Sequence, residues 1–157
     1  VSSRKGEPPP GVKLVAKNRK ALFDYEVVDR IEAGLVLSGT EVKSLRDGAV
    51  QFRDGYARVH HGEVWLEHVH IAPYRHGNVF NHEPDRSRKL LLHRHEVDRL
   101  KSRVEEKGFT LVPLSVYFKN GRAKLELGLC RGKAKQDKRA AIRERDLKRA
   151  ARRELEE

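Results

Sequence analysis

The chain of 157 residues has little that could staple or anchor it. Its single cysteine, Cys130, excludes an intrachain disulfide framework. Neither a signal peptide nor a long apolar run is present, which leads to the expectation of a soluble, cytoplasmic protein with no membrane partner. GxxxxGK[ST] and GxGxxG loops are absent, so the chain does not read as a nucleotide hydrolase or a dinucleotide enzyme. No HExxH, paired cysteine or carboxylate cluster completes a ligand set, and there is no internal repeat.

Positive charge is abundant. Lys plus Arg number 34 against 23 Asp plus Glu, a formal net charge of +11, with a sequence pI near 10.0. That balance points to nucleic acid as the partner class. The charge is concentrated in RGKAKQDKRAAIRERDLKRAARRELEE, residues 131–157, where Ile142, Leu147 and Leu155 are the only large apolar side chains. Burial of so few cannot offset the ordering entropy of roughly 1 to 2 kcal/mol per residue. Asp137 as N-cap, good helix formers beyond it, and Glu144 four residues before Lys148 predict a tail that is disordered alone and helical against phosphates.

Three segments are expected: a flexible arm over 1–17, with prolines at 8–10, a domain over 18–130, and the tail over 131–157. Within the domain, DYEVVDRIEAGLVLSG reads as a long strand bent at Gly34. Thr40 is placed to cap a short helix that stops at Gly48. Residues 50–60 and 63–71 read as antiparallel strands around His61-Gly62, with Trp65, Val69 and Ile71 on one face. The polar segment after Pro73 is too long for a simple connection and ends in the Arg86, Arg88, Lys89 cluster. Val97, Leu100 and Val104 mark a helix ended by Gly108 that covers the sheet. Asn120-Gly121 between two alternating runs is a hairpin signal. About six antiparallel strands with a short and a longer helix predict a mainly β fold, a small closed barrel of the oligonucleotide-binding type.

Eight histidines invite a metal or hydrolase reading, and His68-x-His70 would set two imidazoles on one strand face. His93 and His95 diverge at a helix start, so no metal, no cofactor and no enzymatic activity are expected. Cys130, at the end of an apolar strand, reads as core rather than nucleophile. Arg19, Lys20, Lys43, Arg86, Arg88 and Lys89 are the expected phosphate contacts. Two alternatives stand beside them. One is a generic single-strand-binding or chaperone barrel using Phe52, Tyr56 or Tyr117 as stacking platforms. The other is a His- or metal-dependent RNA hydrolase using His68 and His70.

Four strings in order, EAGLVLSGTEVKSLRDG, PDRSRKLLLHRHEVDRL, LSVYFKNGRAKLELGL and RGKAKQDKR, resemble the small protein B family of SsrA-binding proteins, from about Asn18 to Arg139. The resemblance implies a non-enzymatic RNA-binding barrel of bacterial trans-translation. Its partners would be the tRNA-like domain of transfer-messenger RNA, the ribosomal A site, and elongation factor Tu through the shared RNA. By the same resemblance Asn18, Glu32, Leu91 and Lys124 match RNA-binding positions. Arg131, Gly132, Lys133, Lys135, Gln136, Asp137, Lys138, Arg139 and Arg143 match the tail that enters the decoding centre and empty mRNA channel. The chain departs from the family in four places: Gln136 stands where a His or Tyr is usual, Leu22-Phe23 where Arg-His is usual, Glu83 where Asp is commoner, and Ala134 where a second Lys is usual.

Overall fold

Asn120 and Gly121 adopt φ values of 51° and 79°, the left-handed pair that lets a two-residue turn follow the twist of its strands. They join two long strands that form the spine of the fold. The computed structural model describes residues 10–76, 80–106 and 108–132. Its elements are β1 (Val12–Lys17), α1 (Arg19–Asp24), β2 (Tyr25–Leu35), α2 (Gly39–Arg46), β3 (Val50–Gln51), β4 (Tyr56–His60), β5 (Glu63–Glu67), β6 (His70–Ile71), β7 (Arg88–Leu91), α3 (Arg94–Glu105), β8 (Phe109–Lys119) and β9 (Arg122–Gly132).

Six antiparallel strands close into a barrel in the order β8, β4, β5, β7, β2, β9, with β9 returning to β8. Closure depends on the two long strands that must change partners along their length. β8 pairs with β9 throughout on one edge, while its other edge takes β4 at Leu111 and then β1 from Ser115 onward. β2 pairs with β9 and, at Gly34 and Leu35, also with β7. The expected bend at Gly34 therefore sits where β2 passes from one neighbour to the next. Alternation sends Ile31, Ala33, Leu35, Val116, Phe118, Leu125, Leu127 and Leu129 into the barrel. Val97 and Leu100 of α3 complete that core from one side, and Arg99 ties α3 to Asp29.

Several expectations are corrected. Val12–Lys17 is not part of a flexible arm but a strand on β8; residues 1–9 lie outside the described residues. Ser38, not Thr40, caps α2, in a capping box with Glu41. The run 50–60 is two strands, interrupted by a turn with Arg53 at φ 49°. In the run 63–71, His68 at φ 62° resets the alternation. Trp65 thus faces outward, opposite Lys89 and Arg58, while Val69 and Ile71 are buried.

Arg88 is the largest correction. It is completely buried, so in this structure it meets no phosphate. Its Nε donates to Glu41 Oε2, its Nη1 to the Val69 carbonyl at 2.7 Å and its Nη2 to the Pro84 carbonyl at 2.8 Å. Glu41 is equally buried and accepts in addition from Arg86 and from the Ser38 backbone N–H. Burial works against its charge, yet the hydrogen bonds from Arg86, Ser38 and Arg88 hold its carboxyl below the ordinary 4.5. This knot ties α2, the segment before β7, and β7 itself into one unit.

Candidate nucleic-acid interface

The outer face of the sheet is divided by α1. Asn18 caps that helix, accepting from the Ala21 N–H at 3.2 Å, and its side-chain amide donates to the Pro113 carbonyl at 2.8 Å. These bonds fasten α1 over one end of β8 and β9, where Ala21, Val112, Leu114 and Cys130 form a second small core. Asn18 is 6% exposed and positions the helix that displays Arg19 and Lys20. Burial pushes the Cys130 thiol up to about 11, which suits a packing role and not a nucleophile.

Beyond α1 the sheet face is open. Cross-strand register places Leu91 of β7 opposite Gly34 of β2, Gly34 opposite Lys124 of β9, Lys124 opposite Tyr117 of β8, and Tyr117 opposite Leu14 of β1. Directly opposed residues share a face, so these five form a row across five strands. The next row holds Glu32, Glu126, Ser115 and Lys17. Leu14 is 53% and Leu91 55% exposed, one at each end of the row. Gly34 leaves a notch in the row: a Cβ there would stand 3.2 Å from the Leu91 Cβ.

Three of the four residues singled out by resemblance, Glu32, Leu91 and Lys124, are brought together here. Glu32 accepts from the Tyr117 hydroxyl at 2.5 Å, with the Lys119 ammonium at 3.4 Å. The Tyr117 hydrogen bond is the largest influence on its carboxyl and outweighs burial, the next largest; with smaller help from Lys119 and Lys124 it keeps the carboxyl below the usual range. Arg30 and Glu126 pair beside it at 2.7 Å. Lys119 escapes sequence reasoning as a site residue, and Tyr117 enters it only as a stacking platform of the generic single-strand alternative. Their signal was the alternation itself, since with Val116 and Phe118 inside, residues 115, 117 and 119 must face out.

The remaining basic residues do not all join this face. Lys89, on the outer side of β7, pairs with Glu63 at 3.0 Å. Lys43 extends from α2 over the Tyr74 ring, 5.6 Å from its centre, and Arg86 is half-buried against Glu41. Arg131 forms a two-pronged pair with Glu26, at 2.9 and 3.1 Å, and with Gly132 it still belongs to β9. The tail positions Lys133, Lys135, Gln136, Asp137, Lys138, Arg139 and Arg143 lie outside the described residues.

His68 and His70 serve separate partners, while the His93 and His95 rings stack on each other 5.6 Å apart. His68 approaches Asp54 at 3.3 Å, and His70 approaches Asp85 at 2.8 Å, so the two do not converge on one ligand position. Of the aromatics considered as stacking platforms, Phe52 is in the core and Tyr56 sets its ring edge-on to His68.

Residues 15–157 match a family described as SmpB protein. The SsrA-binding protein of Treponema denticola is 56% identical over 144 residues, 92% of this chain and 94% of that protein. The SsrA-binding protein of Desulfitobacterium hafniense is 54% identical over 139 residues, 88% of this chain and 89% of that protein. A chain from a solved structure described as "tmRNA-SmpB: a journey to the center of the bacterial ribosome" is 51% identical and superimposes with a TM-score of 0.67, covering 82% of this chain and 94% of that one.

Proposed function

The chain belongs to the SmpB protein family, and from that membership we propose that it binds transfer-messenger RNA and brings it to stalled ribosomes in trans-translation. It is an RNA-binding protein, not an enzyme. The observation that carries the mode of binding is the open sheet face, where Lys124, Lys119 and Lys17 stand among exposed leucines and a carboxylate already paired to protein groups. Structured RNA is recognised by shape and by phosphate contacts around a few exposed bases, and that mixture suits such a target. Lys124 and Leu91 form the centre of the grip, with Glu32 beside them paired to Tyr117 and Lys119. Arg19 and Lys20 flank it from α1, with Asn18 as their support, and Lys89, Lys43 and Arg86 supply charge further out.

The tail works elsewhere. A ribosome stalled without a codon has an empty decoding site and a vacant mRNA channel, both walled by rRNA phosphate. Residues from Lys133 onward, with Asp137, Lys138 and Arg139 at the decoding centre, order there as Lys and Arg displace counterions. Gln136 supplies hydrogen bonds where relatives offer a ring, and Lys135 takes over the charge missing at Ala134. Elongation factor Tu joins through the shared RNA, and the work is done in the cytoplasm, where ribosomes are.

The reading is tested on purified ribosomes stalled at the end of a truncated message. Supplied with alanyl transfer-messenger RNA and elongation factor Tu, they should transfer the nascent peptide only when this chain is added. Equal transfer without it would refute the reading. Among the described residues no helix is long and apolar enough to cross a membrane.

A further inference from the structure

The Tyr117 hydroxyl meets a carboxylate that belongs to a strand two places away. β9 lies between β8 and β2 on this face, with Lys124 opposite Tyr117 and Glu126 opposite Glu32. Neighbouring strands are about 4.8 Å apart, so the two backbones are separated by roughly two such spacings. A hydrogen bond of 2.5 Å across that gap requires the tyrosine side chain to lie along the sheet, over β9 and between Lys124 and Glu126, instead of standing away from it. Leu14 borders it on the β1 side, Lys124 lies alongside, and Lys119 sits at the carboxylate end.

We propose that Tyr117 is a stacking platform for one unpaired nucleobase of the bound RNA, and that Glu32 is its positioning residue. The proposal rests on the RNA-binding reading above and deepens it. A base laid on the ring would bring its own phosphates within reach of Lys124 and Lys119, while Leu14 covers its edge. Folded RNAs present such splayed bases in their loops, and an aromatic side chain is the usual partner. Glu32 then acts through the protein: its Oε2 takes the tyrosine hydroxyl, and both its oxygens face the Lys119 ammonium. An acid on an RNA face is thereby explained without a direct contact to the RNA.

The test measures the affinity of the full chain for a tRNA-like domain, with circular dichroism confirming that each variant is folded. Tyr117→Ala should weaken binding by about 5- to 150-fold, the range for one lost stack, while leaving the salt slope unchanged because no phosphate contact is removed. Tyr117→Phe and Glu32→Ala should each cause a smaller loss of similar size, since each cuts the same tether. Glu32→Gln, whose amide oxygen still accepts from the hydroxyl, should lie closer to the parent. On a Tyr117→Ala background Glu32→Ala should add almost nothing. Binding of Tyr117→Ala within twofold of the parent, or full additivity of the two alanine changes, would overturn the proposal. A parent chain that does not bind the tRNA-like domain would instead count against the RNA-binding reading, a separate result.

Discussion

Glu41→Ala is expected to cost about 3 to 5 kcal/mol of folding stability, the range for removing one partner of a buried ion pair. A domain of this size has roughly 5 to 15 kcal/mol in total. The loss arises on the partner: Arg88, completely buried, keeps its charge and loses its counterion. Glu41→Gln should be nearly as damaging, because the amide retains shape but not charge. Joint replacement by apolar residues, Glu41→Leu with Arg88→Met, should recover only part of the loss. The carbonyls of Val69 and Pro84 would then lack the donor that Arg88 gives them. Chemical denaturation read by circular dichroism measures all three.

The same carboxylate gives the acid limb of stability its sign. Its folded pKa lies below the ordinary 4.5, so its contribution is fully present above that value and is lost as pH falls through the lowered one. The parent should lose melting temperature steeply below about pH 4.5, and Glu41→Gln should flatten that limb. An equally steep limb in the variant would assign acid sensitivity to other carboxylates, such as Glu32 or Asp85, which are lowered as well.

The second large effect is functional. A chain ending at Gly132 should keep affinity for the tRNA-like domain within a few-fold of the parent and yet support no peptidyl transfer on a stalled ribosome. The cut belongs after Gly132 because Arg131 and Gly132 pair with Glu26 and Tyr25; a cut after Cys130 would also remove a strand end and the Arg131–Glu26 ion pair. Changing Asp137, Lys138 and Arg139 together to Ala should reproduce the truncation on the ribosome while leaving free RNA binding intact. Full transfer without the tail would sink the division of labour, and loss of free RNA binding in the triple variant would move that segment into the barrel's own site.

Local chemistry made the hairpin and the closed barrel legible. Asn120-Gly121 names its turn type, and Gly34 marks the bend that closure needs. What escaped depended on distant partners. α1 is only six residues long, too short for helical periodicity, and its start is written in the Asn18 side chain's bond to β8. β1 hid behind the prolines at 8–10. Arg88 read as a phosphate contact because it sits in a basic cluster, although alternation puts it on the same side as Leu90 and opposite Lys89 and Leu91. The counterion that permits its burial lies 47 residues earlier. Glu32, Leu91 and Lys124 were named by resemblance, and only the register through Gly34 explains why three distant segments make one surface. Trp65 was assigned to the wrong face because nothing in the string shows His68 in a left-handed conformation.

The most direct test of the central claim is the affinity of the full chain for a transfer-messenger RNA tRNA-like domain, an elongator tRNA and an unstructured strand, each across a range of salt. Selective, tight binding of the tRNA-like domain is expected, and if about six phosphates are neutralised, log K should fall with log salt at a slope of roughly −4 to −5. Equal affinity for all three RNAs would contradict it and reduce the protein to a nonspecific basic surface.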